Sequence, residues 1–429
     1  MSSRGRETGT VKKSVGLLRW FLLLVVVLVA IGCFNVSSTT AYMNMEEGAS
    51  SYQTLAKHMG MLVGGILLMA FVATPFGYSF AKSRTGLLLL TVGTLFLLLL
   101  VPLAGQEVNG ARRWINLGFF SFQPSELAKV AAILWASQKL ASRILRGQES
   151  TLVLGILQKM LGMKPEETWG DVLTNYGALF LPLVYAGFVL FQPDMGTAVL
   201  ILMFPVFLYF FSETSETILR DVILTIGVAT VLLLVLAVLE PYRMQRFTAF
   251  LYYEQYPEGI GYQTLQSLIA VGSGGLFGQG AGNGFAKFYY LPEQHTDFAF
   301  AIWCQEWGFF PAAFVVLLFL ALLFVGFKMG ARIRDVRGAL IVYGCSLLIG
   351  VQGILNMAMV LGCFPVTGVP LPFISYGGTA LWTNLSAVGL IIGAVRENEK
   401  KERMREEMFA FGESRRKLSD LAGGTFHIS

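Results

Sequence analysis

An imidazole, a hydroxyl and a carboxylate stand together at the end of a long polar segment that begins at Glu240. The segment closes with His295, Thr296 and Asp297, and an apolar run follows directly. A carboxylate in this position can act as a general base that takes a proton from a hydroxyl nucleophile. It can equally cap the next helix, because Asp is a preferred N-cap residue. The residues alone leave both interpretations of Asp297 open.

Cations, amides and glycines precede that acidic turn. Arg243 and Arg246 lie three positions apart near the start of the segment, and residues 272–284 are rich in glycine. Arginine suits phosphate groups, and glycine allows the backbone to approach a ligand closely. Gln263 and Gln266 lie between the arginines and the glycines. The combination favours a site for a phosphorylated ligand.

Two charged residues interrupt the less apolar stretch at residues 124–141. Glu126 and Lys129 are three positions apart and therefore share one face of a helix, which Pro124 and Ser125 are suited to begin. Ionisable side chains inside a membrane-spanning helix are costly unless they are paired, and they commonly mark function. The alternative is an ion pair that only fixes helix packing.

Further polar residues lie in short connections between apolar runs. Arg112 and Arg113 either anchor lipid headgroups or bind an anionic group. Asp194 follows Gln-Pro in a tight turn, where it either caps the next helix or belongs to a site. Ser375 lies in residues 364–378, where three prolines and three glycines exclude an ordinary helix and predict a re-entrant loop.

Composition points to a membrane protein. Of the 429 residues, 55% are hydrophobic and only 14% are charged, against roughly 25% charged residues in soluble domains. A helix needs about 20 largely apolar residues to cross a bilayer. The sequence therefore predicts an all-α polytopic membrane protein with ten spans, at residues 15–35, 59–79, 85–103, 124–141, 174–192, 196–212, 219–239, 298–327, 338–362 and 377–395.

The orientation follows from lysine and arginine, because cytoplasmic connections carry the excess of these residues. With the N-terminus inside, most of the 32 Lys and Arg residues fall on the cytoplasmic side. Both termini are then cytoplasmic, and the basic surplus needs no nucleic-acid partner. The predicted division is an N-terminal tail at 1–14, a membrane domain at 15–396 and a C-terminal tail at 397–429. A large extracytoplasmic loop at 240–297 lies between spans seven and eight.

The outer face of a cytoplasmic membrane limits the chemistry. No nucleotide sugar is expected there, and the sequence has no P-loop or Rossmann pattern to bind one. A transfer reaction on that face needs a donor that carries its own leaving group, and a sugar linked to polyprenyl pyrophosphate meets this requirement. Such a donor requires cations, a base and an apolar groove. The arginines, Asp297 and the apolar helices supply these in kind.

The polar clusters together resemble the SEDS family of shape, elongation, division and sporulation proteins. The matching stretches follow one another over most of the chain: NGARRWI with FQPSELAK, QPDMGTA, EPYRMQRFTAF, GYQTLQSLIAVGSGGLFGQGAGNG, LPEQHTDFAFA and PVTGVPLPFISYGG. Within the family, the GQGAGNG run and its spacing to the following Leu-Pro are more similar to the division type, FtsW, than to the elongation type, RodA.

The resemblance implies ten spans, a large loop before the eighth, and polymerisation of lipid II into glycan strands. It makes Asp297, in a signature shared with His295 and Thr296, the essential acid, and it matches Glu126 and Lys129 to the intramembrane polar pair of the family. It further implies a class B penicillin-binding protein as partner, other divisome proteins, and Mg²⁺ or Mn²⁺ without an organic cofactor.

These expectations define a mechanism and its rivals. In an inverting displacement, Asp297 is the base, while Arg243, Arg246 and Lys129 offset charge on the leaving pyrophosphate. A lipid II flippase is the main rival, because Glu126, Lys129 and Glu306 inside the predicted spans can line a transport path. Two further hypotheses are an elongation-type polymerase and a non-catalytic scaffold for a transpeptidase.

Overall fold

A computed structural model describes residues 4–108, 111–118, 120–146, 169–212, 250–255 and 259–423, together with residues 227 and 248. Within these ranges the chain forms twelve α-helices and three short β-strands. The helices are α1 Arg4–Glu46, α2 Gln53–Val72, α3 Pro75–Lys82, α4 Arg84–Ala104, α5 Pro124–Leu145, α6 Trp169–Phe191, α7 Met195–Ser212, α8 Ile260–Ser273, α9 Ala299–Trp307, α10 Phe309–Gly330, α11 Val336–Val360 and α12 Gly378–Gly423.

The predicted all-α polytopic membrane fold is confirmed. Seven helices in the described part of the chain are long and apolar enough to cross a membrane, namely α1, α2, α4, α7, α10, α11 and α12. The predicted spans at 124–141 and 174–192 correspond to helices α5 and α6, and α6 contains a shorter apolar stretch, Gly177–Phe191. The predicted span at 219–239 falls outside the described residues, so the count of ten stays a prediction.

The predicted span at 59–79 is wrong in its bounds, because the helix ends at Val72. A new helix, α3, begins at Pro75, where proline is tolerated in the first turn. The Thr74 hydroxyl accepts a hydrogen bond from the Gly77 amide at 3.0 Å and so caps α3. One helix therefore ends and another begins within a stretch of sequence that looks like a single apolar run.

The single span predicted at 298–327 is also wrong, since two helices occupy it. Gly308, with φ of 79°, separates α9 from α10. A β-carbon on Gly308 would lie 2.3 Å from the Gly278 amide nitrogen, so only glycine fits this corner. The 22 residues of α10 extend about 33 Å and suffice to span the membrane. Helix α9 is too short to cross it, which places Glu306 outside the spans.

A small antiparallel sheet, unanticipated from the sequence, follows α4. Strands β1 (Gln106–Val108), β2 (Ala111–Asn116) and β3 (Ser121–Phe122) lie in the order β1-β2-β3. Glu107 pairs with Arg112 and Ile115 pairs with Phe122. The sheet leads directly into α5, so it fixes the side chains of β2 relative to the first turn of that helix.

Helix α11 forms the centre of the bundle. It packs against α5, α7, α10 and α12, and most of its residues are buried. Glycines allow some of these helices to approach closely: Gly344 faces Ile133 of α5, and Gly353 faces the ring of Phe319 in α10. Close approach of this kind is typical of helix packing in membranes, where small residues lie at the contacts.

A charged cluster marks one end of α11. The Lys82 ammonium lies 3.0 Å from Asp335 and 3.1 Å from Glu397. Burial by itself raises the pKa of Asp335, but the hydrogen bond and charge of Lys82, the charge of Lys401 and the Gly338 amide outweigh it and lower the pKa. Helix α12 rises about 28 Å between Gly378 and Glu397. The cluster is therefore separated from the polar loops by about the thickness of a membrane core.

The α10–α11 contact yields a matched pair of glycine variants. A β-carbon at Gly353 would lie 2.4 Å from the Phe319 ring, whereas one at Gly93 of α4 meets nothing within 4 Å. We expect Gly353→Ala to cost about 1–3 kcal/mol through overpacking. Gly93→Ala should be neutral or gain up to about 1 kcal/mol from helix propensity. Thermal unfolding in detergent measures both, and equal melting temperatures for the two variants would contradict the expectation.

Candidate functional site

Strand β2 separates the two neighbouring arginines. Successive residues of a strand point to opposite faces, so Arg112 and Arg113 have different surroundings. Arg112 is 52% exposed and lies 3.4 Å from Glu107. Arg113 turns inward, where its Nε donates to the Gln192 carbonyl at 3.2 Å and its Nη2 donates to the Pro193 carbonyl. Only Arg113 is held in a fixed orientation by the next polar turn.

Arg113 and Asp297 converge at Gly368, in the loop that the sequence predicts to be re-entrant and that is called the re-entrant loop below. A β-carbon built on Gly368 would lie 3.5 Å from Asp297 Oδ2 and 3.8 Å from Arg113 Nη1. Residues far apart in the sequence therefore bring a carboxylate and a guanidinium to the same side of one glycine. A larger residue at this position would occupy the space beside both charged groups.

The helix-cap interpretation of Asp297 gains no support from the geometry. Helix α9 begins at Ala299, and its N-cap residue is Phe298, whose side chain makes no capping hydrogen bond. Asp297 precedes the cap position by one residue. Its carbonyl accepts a hydrogen bond from Asn356 at 2.8 Å, so the main chain at Asp297 is fixed from the core of the bundle.

The re-entrant loop at 364–377 and the turn that carries Asp297 are joined through backbone groups. The Tyr376 amide donates to the His295 carbonyl at 2.8 Å. The Ser375 hydroxyl donates to the Thr296 carbonyl and accepts from the Leu371 amide at 2.9 Å. Ser375 thus connects the two segments and closes a turn within its own loop.

The turn before Asp297 is internally braced. Glu293 has a positive φ of 54°, and its carbonyl accepts hydrogen bonds from the Thr296 and Phe298 amides at 3.2 and 3.1 Å. The Thr296 hydroxyl donates to the Glu293 carboxylate at 2.8 Å. Burial lowers the pKa of His295, although the charge of Glu293 raises it in part. The net effect of burial is to favour the neutral form of His295.

The predicted Glu126–Lys129 pair forms inside the bundle. The Lys129 ammonium lies 2.8 Å from Glu126 Oε1, and the Lys129 and Glu126 side chains are 0% and 2% exposed. Lys129 also donates to Gln352 Oε1 of α11 at 2.8 Å, and Gln352 Nε2 donates to the Pro370 carbonyl at 3.0 Å. The pair is thereby linked to the re-entrant loop, with Lys129 fully buried between Glu126 and Gln352.

Asn356 is a site residue that sequence reasoning missed. It is fully buried, and its Nδ2 donates to the Asp297 and Val369 carbonyls, each at 2.8 Å. The available signal was a pair of amides, Gln352 and Asn356, spaced four residues apart in an otherwise apolar helix. This spacing places both on one face of α11.

Asp194 has the helix-cap role that the sequence left as one of two interpretations. Its Oδ1 accepts a hydrogen bond from the Thr197 amide at 3.2 Å in the first turn of α7. Its Oδ2 accepts from Gln123 Nε2 at 3.2 Å, and Gln123 immediately precedes α5. Asp194 is 1% exposed. The side chain therefore joins two helix starts beneath the turn that holds Arg113.

The glycine-rich segment approaches the protein's own helix. A β-carbon at Gly274 would lie 2.1 Å from the Cys304 carbonyl oxygen, and one at Gly278 would lie 2.2 Å from that of Glu306. These glycines allow the segment to pack on α9. The expectation that they admit a ligand has no support at these two positions, because protein backbone occupies the space.

A second buried ion pair, which the sequence did not predict, fixes the same segment. Lys287 lies 2.8 Å from Glu306 Oε1, with exposures of 5% and 2%. The Ser38 hydroxyl of α1 donates to Glu306 at 2.7 Å. Gln294 Nε2 donates to the Lys287 carbonyl at 2.7 Å. Glu306 therefore anchors the loop that ends at Asp297.

The remaining candidates lie in α8 or outside the described residues. Gln263 and Gln266 are half-buried on one face of α8. Arg243 and Arg246 fall outside the described residues, so their proximity to Asp297 stays a prediction.

Within the described ranges, no group of three or more His, Cys, Asp or Glu side chains can hold a metal ion. Magnesium commonly binds through one or two carboxylates together with substrate phosphates. Asp297 supplies one such carboxylate. A single carboxylate of this kind fits a cation that arrives with a pyrophosphate.

Fold and site together define a polytopic membrane protein in which a carboxylate and an arginine meet at a re-entrant loop. A family model described as cell cycle protein, covering FtsW, RodA and SpoVE, matches residues 18–400. The chain belongs to this family, which is the one that the sequence motifs predicted.

Individual relatives match over nearly their whole length. The probable peptidoglycan glycosyltransferase FtsW of Coxiella burnetii is 36% identical, over 89% of this chain and 96% of the relative. FtsW of Neisseria gonorrhoeae is 33% identical over 89% and 85%. Stage V sporulation protein E of Bacillus subtilis is 34% identical over 87% and 96%.

Two solved structures share the fold. One is a chain from a study of how a peptidoglycan synthase complex coordinates polymerization and crosslinking, with 26% identity and a TM-score of 0.64 over 88% of this chain and 97% of that chain. The other is the rod shape determining protein RodA of Thermus thermophilus, with 26% identity and a TM-score of 0.58 over 88% and 96%.

The buried Glu126–Lys129 pair generates a stability prediction. We expect Lys129→Met to cost about 3–5 kcal/mol, because it leaves the Glu126 carboxylate buried without a cation. The double variant Glu126→Gln/Lys129→Met should recover much of that loss. Thermal unfolding of the detergent-solubilised protein measures the effects.

The exposed Arg112–Glu107 pair is the control, and Arg112→Ala should cost no more than about 1 kcal/mol. A loss for Lys129→Met as small as that of Arg112→Ala would contradict the prediction. So would a double variant less stable than Lys129→Met alone.

Proposed function

We propose that this chain is a peptidoglycan glycosyltransferase that polymerises lipid II into β-1,4-linked glycan strands on the outer face of the cytoplasmic membrane. The observation that carries the proposal is the convergence of Asp297 and Arg113 at Gly368. A transfer from a pyrophosphate-linked sugar requires a base and a cation within reach of one substrate. The names of the FtsW relatives support the same reaction.

In the proposed mechanism, the C4 hydroxyl of the acceptor N-acetylglucosamine gives its proton to the Asp297 carboxylate. The hydroxyl oxygen attacks C1 of the donor N-acetylmuramic acid from the side opposite the pyrophosphate. The new C1–O bond forms as the bond from C1 to the pyrophosphate oxygen breaks, so the configuration at C1 inverts. Undecaprenyl pyrophosphate leaves with the electron pair of that bond.

Arg113 is the described residue best placed to offset charge on the departing pyrophosphate. A guanidinium can donate two parallel hydrogen bonds to a phosphate group. The carbonyls of Gln192 and Pro193 fix the guanidinium through Nε and Nη2, which directs Nη1 toward the Asp297 side. Mg²⁺ or Mn²⁺ bound with the pyrophosphate would supply further positive charge at the leaving group.

We place the enzyme in septal synthesis during cell division, with a class B penicillin-binding protein and other divisome proteins as partners. Support comes from the FtsW relatives and from the similarity to a chain studied in a peptidoglycan synthase complex. Both termini lie in the cytoplasm in this proposal. Elongation-type duty is the alternative within the family.

The flippase alternative loses one of its supports. Glu306 is one of three residues expected to line a path through the spans, but it lies in α9 and is paired with Lys287 and Ser38. Glu126 and Lys129 are closed off by burial and by their bond to each other. A flippase would move labelled lipid II across a vesicle membrane without joining it into strands.

The first functional prediction concerns the base. Asp297→Asn keeps the shape of the side chain but removes the proton acceptor, so glycan synthesis should fall by about 100-fold or more. The assay is polymer formation on a gel from labelled lipid II, with the protein purified alongside its cognate transpeptidase.

Glu107→Gln makes the same carboxylate-to-amide change at an exposed site and should leave the rate unchanged. Polymer from Asp297→Asn at the wild-type rate would exclude Asp297 as the base. Folded wild-type protein that moves lipid II between leaflets and makes no polymer would favour the flippase.

The second functional prediction separates the two neighbouring arginines. Losing a charge-assisted hydrogen bond costs about 1.5–3 kcal/mol, so Arg113→Gln should lower kcat/KM for lipid II by about tenfold or more. Arg112→Gln, on the exposed face of β2, should stay within about twofold of wild type because its pair is at the surface. Steady-state polymerisation rates measure both variants. Equal losses would contradict the assignment of Arg113 to the site.

A further inference from the structure

A single buried amide holds both segments that form the site. Asn356 Nδ2 donates one hydrogen bond to the carbonyl of Asp297 and another to the carbonyl of Val369. Val369 follows Gly368, the residue beside which the Asp297 carboxylate and Arg113 meet. Asn356 therefore sets the distance between the main chain of Asp297 and the loop that shapes its surroundings.

A second amide acts one helical turn away. Gln352 accepts a hydrogen bond from Lys129 and donates one to the Pro370 carbonyl. Two consecutive carbonyls of the loop, those of Val369 and Pro370, are thus bound by two residues on the same face of α11. The Glu126–Lys129 pair fixes Gln352 in turn, because Lys129 holds its side-chain oxygen and leaves the nitrogen to face the loop.

Burial makes these bonds hard to replace. Gln352 and Asn356 are both 0% exposed, and the hydrogen bond from Asn356 to the Val369 carbonyl is buried. A buried carbonyl without a donor is costly. Moving the loop or the turn away from Asn356 would break these hydrogen bonds, so the bonds favour the observed position of both segments.

We propose that Asn356 is a positioning residue, which places the Asp297 carboxylate for proton transfer by binding the Asp297 and Val369 carbonyls together. Gln352 and Lys129 support it by holding the adjacent carbonyl of the loop. Asn356 itself touches no substrate. The catalytic part of this inference rests on the proposed glycosyltransferase function, and the geometric part does not.

The test compares two buried asparagines. Asn356→Asp replaces an amide that donates two hydrogen bonds with a group that can donate at most one. The control is Asn384→Asp in α12. Asn384 is 1% exposed, and within the described part of the chain it donates only to the Ala380 carbonyl of its own helix, at 2.8 Å. Among the described residues, the side-chain oxygens of both asparagines have no hydrogen-bond partner, so the two substitutions are closely matched.

Hydrogen–deuterium exchange of the full-length protein in detergent is the first readout. We expect faster exchange in peptides covering residues 291–298 and 366–377 of Asn356→Asp, and unchanged exchange there in Asn384→Asp. Polymerisation of lipid II is the second readout. We expect kcat to fall at least tenfold in Asn356→Asp while KM stays within twofold, because binding groups such as Arg113 remain in place.

The positioning role is overturned if exchange in both peptides of Asn356→Asp equals that of wild type, or if Asn384→Asp changes it equally. It is also overturned if kcat is retained. If Asn356→Asp fails to fold, Asn356→Ser keeps one donor and should show the same changes at smaller amplitude. A wild-type protein that forms no polymer, combined with the selective exchange change, would refute the proposed function and leave the positioning role supported.

Discussion

Backbone carbonyls in the non-helical segments of a membrane protein need hydrogen-bond donors from the protein itself, because lipid offers none. The re-entrant loop at 364–377 and the turn before α9 both present this requirement. The structure meets it with buried amides and hydroxyls: Gln352 and Asn356 from α11, and Ser375 from the loop itself. The position of Asp297 follows from these bonds. The hydrogen bonds that hold the main chain of Asp297 also determine where its carboxylate lies.

The two buried ion pairs each help to fix one of the segments around Asp297. Glu126 and Lys129 act through α11 on the re-entrant loop, while Lys287 and Glu306 anchor the preceding loop against α9 and α1. A buried ion pair adds little net stability by itself, because desolvation offsets the attraction between the charges. Its value lies in specificity, since removing either partner leaves a buried charge. Each pair therefore favours one arrangement of a loop that apolar packing alone would leave free to shift.

The sequence predicted the fold class and most helices because apolar runs of span length are a strong, local signal. The prediction of a single span at 298–327 was wrong. Gly308 separates two helices there, and the reason why only glycine fits is its close contact with Gly278, which the sequence does not reveal. Spacing within a helix also predicted the Glu126–Lys129 pair. Asn356 was missed because its partners, Asp297 and Val369, come together only in the folded bundle. The sheet that turns Arg113 inward and Arg112 outward was missed because its strands are too short to show a periodic pattern.

The separation of the two arginines shows how the fold makes chemical use of a simple rule. Neighbouring strand residues point to opposite faces. Two adjacent arginines therefore have different surroundings although their side chains are identical. Arg113 is oriented by the turn of Gln192 and Pro193, and Asp194 in the same turn caps α7 and holds Gln123 at the start of α5. A shift of that turn would move the guanidinium and both helix starts together. Arg113 and Asp297 are thus both positioned by the same helix bundle. Helices α5 and α7 position the arginine, and α11 positions the aspartate. Because α11 packs directly on α5 and α7, the distance between the two charged groups is a property of the bundle core.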